Sequence, residues 1–272
     1  PFGTFQPSEL SKVIMLVIFA NLISEEKDKI SHFSTIVKIF GLYVIPMMLI
    51  LVEPDLSTTL VFAFLFCVLM FVGGVSYKVI GIVLGALVPT AVLFTWYIQQ
   101  PNQKLLHGYQ LDRIMSFLHP SDYLLTTYNQ QYNSVMAIGS GMLPGKGLNN
   151  NTLTSVKGGN FISEPQTDFI FAIVGEELGF IGSCAVLLLI SLILLECLLI
   201  AKAARDMRGR MIASGAAGIM AFHTFVNIGV ATGLLPNTGL PLPFVSYGLS
   251  SLLSNCLCIG LLHNEGLQRN RR

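Results

Sequence analysis

Of 272 residues, 53% are hydrophobic and only 11% are charged, with a mean hydropathy of +0.67 and a formal net charge of +1. Soluble domains carry about a quarter charged residues, so this composition describes an integral membrane protein, and the near-neutral balance gives no nucleic-acid signal. Long apolar runs between short charged loops indicate helices, because the strands of a barrel would alternate every second residue.

The chain opens at Pro1 in a loop-like Pro-Phe-Gly-Thr-Phe-Gln-Pro segment, without Met or signal peptide, and reads as a fragment missing its start. Ser8 can cap a helix beginning at Glu9, and Val13 to Ile23 gives a first, short span. A charged turn over 24–35 precedes span two, Ile36 to Val52, in which Pro46 is a tolerated kink. After Glu53-Pro54-Asp55 come span three, Leu56 to Val75, and span four, Val79 to Ile98. The apolar pattern then stops. The polar segment 99–167 is too long for a simple connector and is a candidate functional loop within a single membrane domain, 1–272. Its run Gly139-Ser-Gly-Met-Leu-Pro-Gly-Lys146-Gly147 is not a P-loop, since the spacing is short by one residue and no strand precedes it. Val135 to Ile138 before it suggest a short helix lying at the surface.

Ser163 with Gln166 has the form of a capping box and Pro165 suits a first turn, so a helix is expected to begin there, with Asp168 near its N-terminus. Ala172, Gly175, Gly179 and Gly182 fall close to the direction of Asp168 and form a seam that another helix can approach closely. Span five, Phe169 to Ala201, corresponds to roughly 50 Å of helix against a core near 30 Å, so it must overhang or tilt. Counting back from Leu199 puts the core boundary near Phe180. Spans six, Met211 to Leu235, and seven, Phe244 to Leu262, flank Pro236-Asn-Thr-Gly-Leu-Pro-Leu-Pro243. Cys67, Cys184, Cys197, Cys256 and Cys258 all lie in apolar runs and read as small hydrophobes.

Seven spans place the two ends on opposite sides. With the C-terminus cytoplasmic, the inner side holds Lys27, Lys29, Lys38, Lys78, Lys202, Arg205, Arg208, Arg210, Arg269, Arg271 and Arg272, and the outer side only Lys12, Lys104, Arg113, Lys146 and Lys157. Asp168 and the long loop therefore face outward. His223, Asn227 and Asn255 sit inside spans, where helix-to-helix hydrogen bonds explain them best.

Six segments in order carry a resemblance: Gln6-Pro-Ser-Glu9-Leu-Ser-Lys12, Glu53-Pro-Asp-Leu-Ser57, Gly108-Tyr-Gln110 with Arg113, Gly145-Lys-Gly-Leu148, Glu164-Pro-Gln-Thr-Asp168-Phe-Ile-Phe-Ala172 and Pro236-Asn-Thr-Gly-Leu-Pro-Leu-Pro-Phe-Val-Ser-Tyr-Gly248. Together they resemble the SEDS proteins (RodA, FtsW and SpoVE), bacterial membrane glycosyltransferases that polymerise lipid II into peptidoglycan. Leu249 stands where a second glycine is usual and Asn237 where a small aliphatic residue is usual. The resemblance implies an all-α polytopic protein, the last seven spans of a ten-span fold with both ends cytoplasmic. It implies a bacterial plasma-membrane location and a class B penicillin-binding transpeptidase as partner.

The resemblance makes Asp168 the general base of an inverting transfer, against the alternative that it only complements a helix N-terminus. Arg113, Lys146, Lys12 and Lys157 are candidate ligands for the substrate diphosphate, each with the alternative of a solvated charge, or for Lys12 an ion pair with Glu9 one turn away. Glu9 joins this candidate substrate-binding set. Glu176 and Glu177 read as structural. No metal cage is evident, although a divalent cation such as magnesium could share the diphosphate charge. A lipid II flippase or transporter, and a non-catalytic scaffold, are the competing readings.

Overall fold

A computed structural model describes residues 5–53, 55–100, 108–149, 155–156, 159, 161–163 and 165–269. The described residues form helices joined by turns and irregular segments, and each of the seven predicted spans is a helix. These are α1 (Pro7–Glu25), α2 (Phe33–Val52), α3 (Leu56–Val72), α4 (Tyr77–Ile98), α7 (Ile170–Ala203), α8 (Met207–Ala231) and α9 (Leu249–Arg269). Five of them, α1, α2, α4, α7 and α8, are long and apolar enough to cross a membrane. The protein is a multi-pass membrane protein.

The segment 99–167 is not one loop. It holds α5 (Tyr109–Leu118), a short 3₁₀ turn (Pro120–Tyr123) and α6 (Asn129–Ser140). The sequence places α6 at the surface, and its Val135 and Met136 are exposed. Its other face is buried, because Gln131 donates to the carbonyls of Val230 and Leu235 and Ser134 donates to that of Ala231. Polar side chains on α6 thus bond carbonyls at the end of α8 and in the turn that follows it.

α8 is the most deeply buried of the five long apolar helices and packs against α1, α3, α6, α7 and α9. Small residues make this possible: a Cβ on Gly215 would overlap Leu16, and one on Gly218 would come within 3.1 Å of Val68. On the other side of α1, Tyr43 of α2 fills the space between Phe19 and Phe66, each ring centroid 4.7 Å away, and its hydroxyl donates to the Phe62 carbonyl at 2.8 Å. α4 lies outside the bundle and is exposed along nearly its whole length.

The predicted capping box does not form. α7 begins at Ile170 with no side-chain cap, while Ser163 is hydrogen-bonded by Gln130 and the Gln166 carbonyl accepts from the amide of Tyr247. Nor does Ser8 cap α1, which starts at Pro7.

α7 is also not continuous. Gly179 has φ 66° and ψ −163°, a conformation open essentially to glycine alone, next to the predicted membrane boundary at Phe180. The glycine-rich segment after α6 fills the break. Lys146 and Gly147 donate backbone N–H groups to the carbonyls of Glu176 and Glu177, and Phe180 and Ile181 donate theirs to Met142 and Leu143, at 2.8–3.3 Å. A Cβ on Gly141 or Gly145 would overlap the α7 backbone, and one on Gly175 would come within 2.9 Å of Ile138. The predicted small-residue seam therefore exists, but α6 and a loop occupy it.

Gly145→Ala is expected to destabilise the protein by about 2–4 kcal/mol, because the methyl group meets the Glu177 carbonyl at a positive φ. Gly139→Ala adds a Cβ with nothing within 4 Å and should stay within about 1 kcal/mol of the parent. Thermal unfolding in detergent checks both; equal effects would refute the account of the glycine segment.

Candidate functional site

The segments predicted to lie on one side of the membrane meet at one end of the bundle, and Asp168 is at their centre. It belongs to the turn before α7. Three successive carbonyls of that turn are engaged: Gln166 by the amide of Tyr247 at 2.9 Å, Thr167 by Ser246 Oγ at 2.6 Å, and Asp168 by Asn227 Nδ2 of α8 at 2.8 Å. Ser246 also accepts from the amide of Leu242. Its hydroxyl is thus committed to structure.

The facing segment, Pro236 to Pro243, is held the same way. The Thr238 carbonyl accepts from Ser57 and from Arg113 Nη1 (3.4 Å), that of Leu240 from Asn227 Nδ2 (2.8 Å), and that of Pro241 from His223 Nδ1 (3.2 Å). Between them Gly239, at φ +75°, lies against Asp168, and a Cβ there would stand 3.1 Å from Oδ2. Glycine is required on both counts. Asn237, where the sequence departs from the family pattern, has its buried Oδ1 without a hydrogen-bond partner, as does the Thr238 hydroxyl.

Two adjoining clefts share Asp168, Gly239 and Gln6. One, of about 500 Å³, is lined by Gln166, Thr167, Tyr247, Ser250 and Ser251 and reaches down to Glu9; Leu249 stands at its edge. The other, of about 420 Å³, is lined by Arg113, Glu53, Asp55, Ser57 and Thr238. Gln6 spans the divide, its amide donating to Ser250 Oγ and its side chain to Asp55 Oδ2. Asp55 also caps α3 through the Thr58 amide and hydroxyl. Among the described residues no three His, Cys, Asp or Glu side chains are grouped to hold a metal ion.

Of the residues singled out from sequence, Asp168, Arg113 and Glu9 line these clefts. Lys12 does not present a free cation. It is 1% exposed, with Nζ 2.7 Å from Glu9 Oε1 and 3.0 Å from His223 Nε2, so the ion-pair alternative is the one realised. Lys146 is also elsewhere. It pairs with Glu176 at 2.8 Å beside a separate cavity of about 270 Å³, and the second Glu176 oxygen accepts from the amide of Val156. Both are withheld from the Asp168 clefts for one reason: a carboxylate buried in the bundle needs a cation more than solvent does. Lys157 lies outside the described residues.

Residues the sequence reading passed over complete the site. Gln6, Glu53, Gly239 and Tyr247 stand in segments noted only for their order, Gln166 reads from sequence as a capping residue, and Ser250 and Ser251 lie unremarked within span seven. Their convergence depends on the packing of α1, α3, α7 and α9 around α8.

A family model for FtsW/RodA/SpoVE cell cycle proteins matches residues 1–271. Stage V sporulation protein E of Bacillus subtilis is 36% identical over 262 residues, covering 96% of this chain and 68% of that protein. Peptidoglycan glycosyltransferase MrdB of Escherichia coli is 36% identical over 249 residues, covering 92% of this chain and 64% of that protein. This chain thus spans about two thirds of the length of these relatives. Among solved structures, a chain of a peptidoglycan synthase complex that coordinates polymerization and crosslinking superposes with a TM-score of 0.77 at 27% identity, covering all of this chain and 73% of that one. The rod shape determining protein RodA of Thermus thermophilus gives 0.63 at 27% identity, covering 98% of this chain and 67% of that one.

Lys12→Met leaves the Glu9 carboxylate buried without its cation and is expected to cost about 3–5 kcal/mol, whereas Glu9→Gln with Lys12→Met recovers most of that loss. A thermal double-mutant cycle checks it. If the single and double variants unfold alike, the two residues are not paired.

Proposed function

The chain belongs to the FtsW/RodA/SpoVE family, and we propose that it acts as a peptidoglycan glycosyltransferase, polymerising lipid II with Asp168 as general base. The observation that carries this is the position of Asp168 between two clefts, one bordered by Arg113 and the other by amide, phenol and hydroxyl groups. Relatives named as peptidoglycan glycosyltransferases support it.

In the transfer, the 4-hydroxyl oxygen of the acceptor sugar forms a bond to the anomeric carbon of the donor as the bond from that carbon to the diphosphate oxygen breaks. The hydroxyl proton passes to the Asp168 carboxylate, and the electron pair leaves with the lipid diphosphate. A single displacement inverts the anomeric centre. Arg113, in the cleft on one side of Asp168, suits the departing diphosphate because its guanidinium can contact two phosphate oxygens at once. The cleft with Gln166, Tyr247, Ser250 and Ser251 suits an acceptor sugar, whose hydroxyls need neutral donors and acceptors. A divalent cation such as magnesium would be carried largely by the diphosphate itself, with at most one or two carboxylates from the protein.

We place this end of the bundle on the extracytoplasmic side of a bacterial plasma membrane, a reading that the Lys and Arg asymmetry supports. A class B penicillin-binding transpeptidase is the partner we propose. A solved relative from a synthase that couples polymerization to crosslinking supports that choice. Transport gains no support from the break in α7, because the freed backbone groups are bonded to residues 142–147 and not turned toward a substrate cavity.

Asp168→Asn in the full-length protein is expected to lower the rate of glycan-strand formation from labelled lipid II by about 10²- to 10⁴-fold. Arg113→Ala should weaken use of lipid II by roughly 10- to 100-fold in kcat/KM. An Asp168→Asn protein that is folded and polymerises at the parental rate would sink the base assignment.

A further inference from the structure

We infer that Asn227 is a positioning residue for Asp168, holding the base through its backbone without touching substrate; the inference rests on the reading of Asp168 as base. Asn227 lies on α8, 1% exposed, behind the clefts and lining neither of them. Its single Nδ2 group donates to the carbonyl of Asp168 and to the carbonyl of Leu240, both at 2.8 Å. These acceptors sit on the two different segments that form the site. One side chain therefore fixes the distance between the turn that carries the carboxylate and the turn whose Gly239 lies against it.

The orientation of the amide has no alternative, since both partners are carbonyls and only the nitrogen can donate to them. The other amide atom, Oδ1, is buried without a hydrogen-bond partner. Leaving a buried acceptor unpaired is unfavourable, so this side chain is retained for its two donors. One turn earlier on the same helix face, His223 grips the next carbonyl, that of Pro241, while its other ring nitrogen is held by Lys12. Asn227 is thus the link between the acid and a segment that is itself anchored to the Glu9–Lys12 pair. Proton transfer from an acceptor hydroxyl depends steeply on where the carboxylate stands, so loosening the Asp168 carbonyl should affect turnover more than substrate capture.

The test uses the full-length protein with Asn227→Leu, which keeps the branched shape and removes both donors, and Asn227→Gln, which keeps the donors on a longer arm. Asn227→Leu is expected to lower kcat for lipid II polymerisation by about ten- to a hundredfold while KM changes by less than about threefold, with partial recovery in Asn227→Gln. Amide hydrogen exchange should rise in peptides covering 166–170 and 238–242 and stay at the parental level in α3. Unchanged exchange in those two peptides would overturn the proposal, and so would a parental kcat in Asn227→Leu when Asp168→Asn is inactive. A loss confined to KM, or faster exchange spread evenly over α8 and α3, would assign Asn227 to general stability instead. If Asp168→Asn proves active, the base reading fails, and the exchange data still decide whether Asn227 holds this turn.

Discussion

The structure depends on one constraint: irregular backbone inside a helical membrane bundle must have its carbonyl and amide groups bonded, because neither lipid nor a dry interior will do so. Residues 166–168 and 236–243 are such backbone. Their carbonyls are taken up by Tyr247, Ser246, Asn227, His223, Ser57 and Arg113, drawn from four different parts of the chain. The groups that satisfy the backbone are the same groups that place the carboxylate. Asp168 is held where it is because the turn that carries it has few other ways to be buried.

The same constraint explains the break in α7. A helix interrupted at Gly179 frees carbonyls and amides on either side, and the segment 142–147 bonds to them in turn. Side chains would prevent that approach, so glycine is needed at 141, 145, 175 and 179. The Lys146 ammonium then reaches Glu176, a buried acid on the first half of α7. Backbone pairing and ion pairing are coupled here, since the loop that supplies the amides also supplies the cation.

Electrostatics divides the cations into two classes. Lys12 and Lys146 neutralise buried carboxylates, where an unpaired charge would cost several kcal/mol, on the order of 3–5. Arg113 is half-buried and lines a cleft, where its Nη1 donates to the Thr238 carbonyl, on the side where the proposed reaction places an anionic ligand. α8 separates the classes. Its His223 faces Lys12 from behind while its Asn227 faces the turn of Asp168, so one helix face ties the ion pair to the site.

The sequence by itself determined the class of fold and the approximate places of the seven apolar helices, the largest offset being α9, which starts five residues after span seven and ends seven beyond it. Hydropathy and charge bias are sums over neighbours in the chain, so they survive without a structure. Polar partners do not. Asn227 meets Asp168 across 59 positions, Lys146 meets Glu176 across 30 and Lys12 meets His223 across 211. The Ser163 hydroxyl, expected to cap a helix locally, is instead bonded by Gln130 from 33 residues away. Which lysine is a ligand and which a counter-ion, where α7 breaks, and what holds the acid were decided only by tertiary packing, because a buried polar group takes whichever partner the fold brings within about 3 Å.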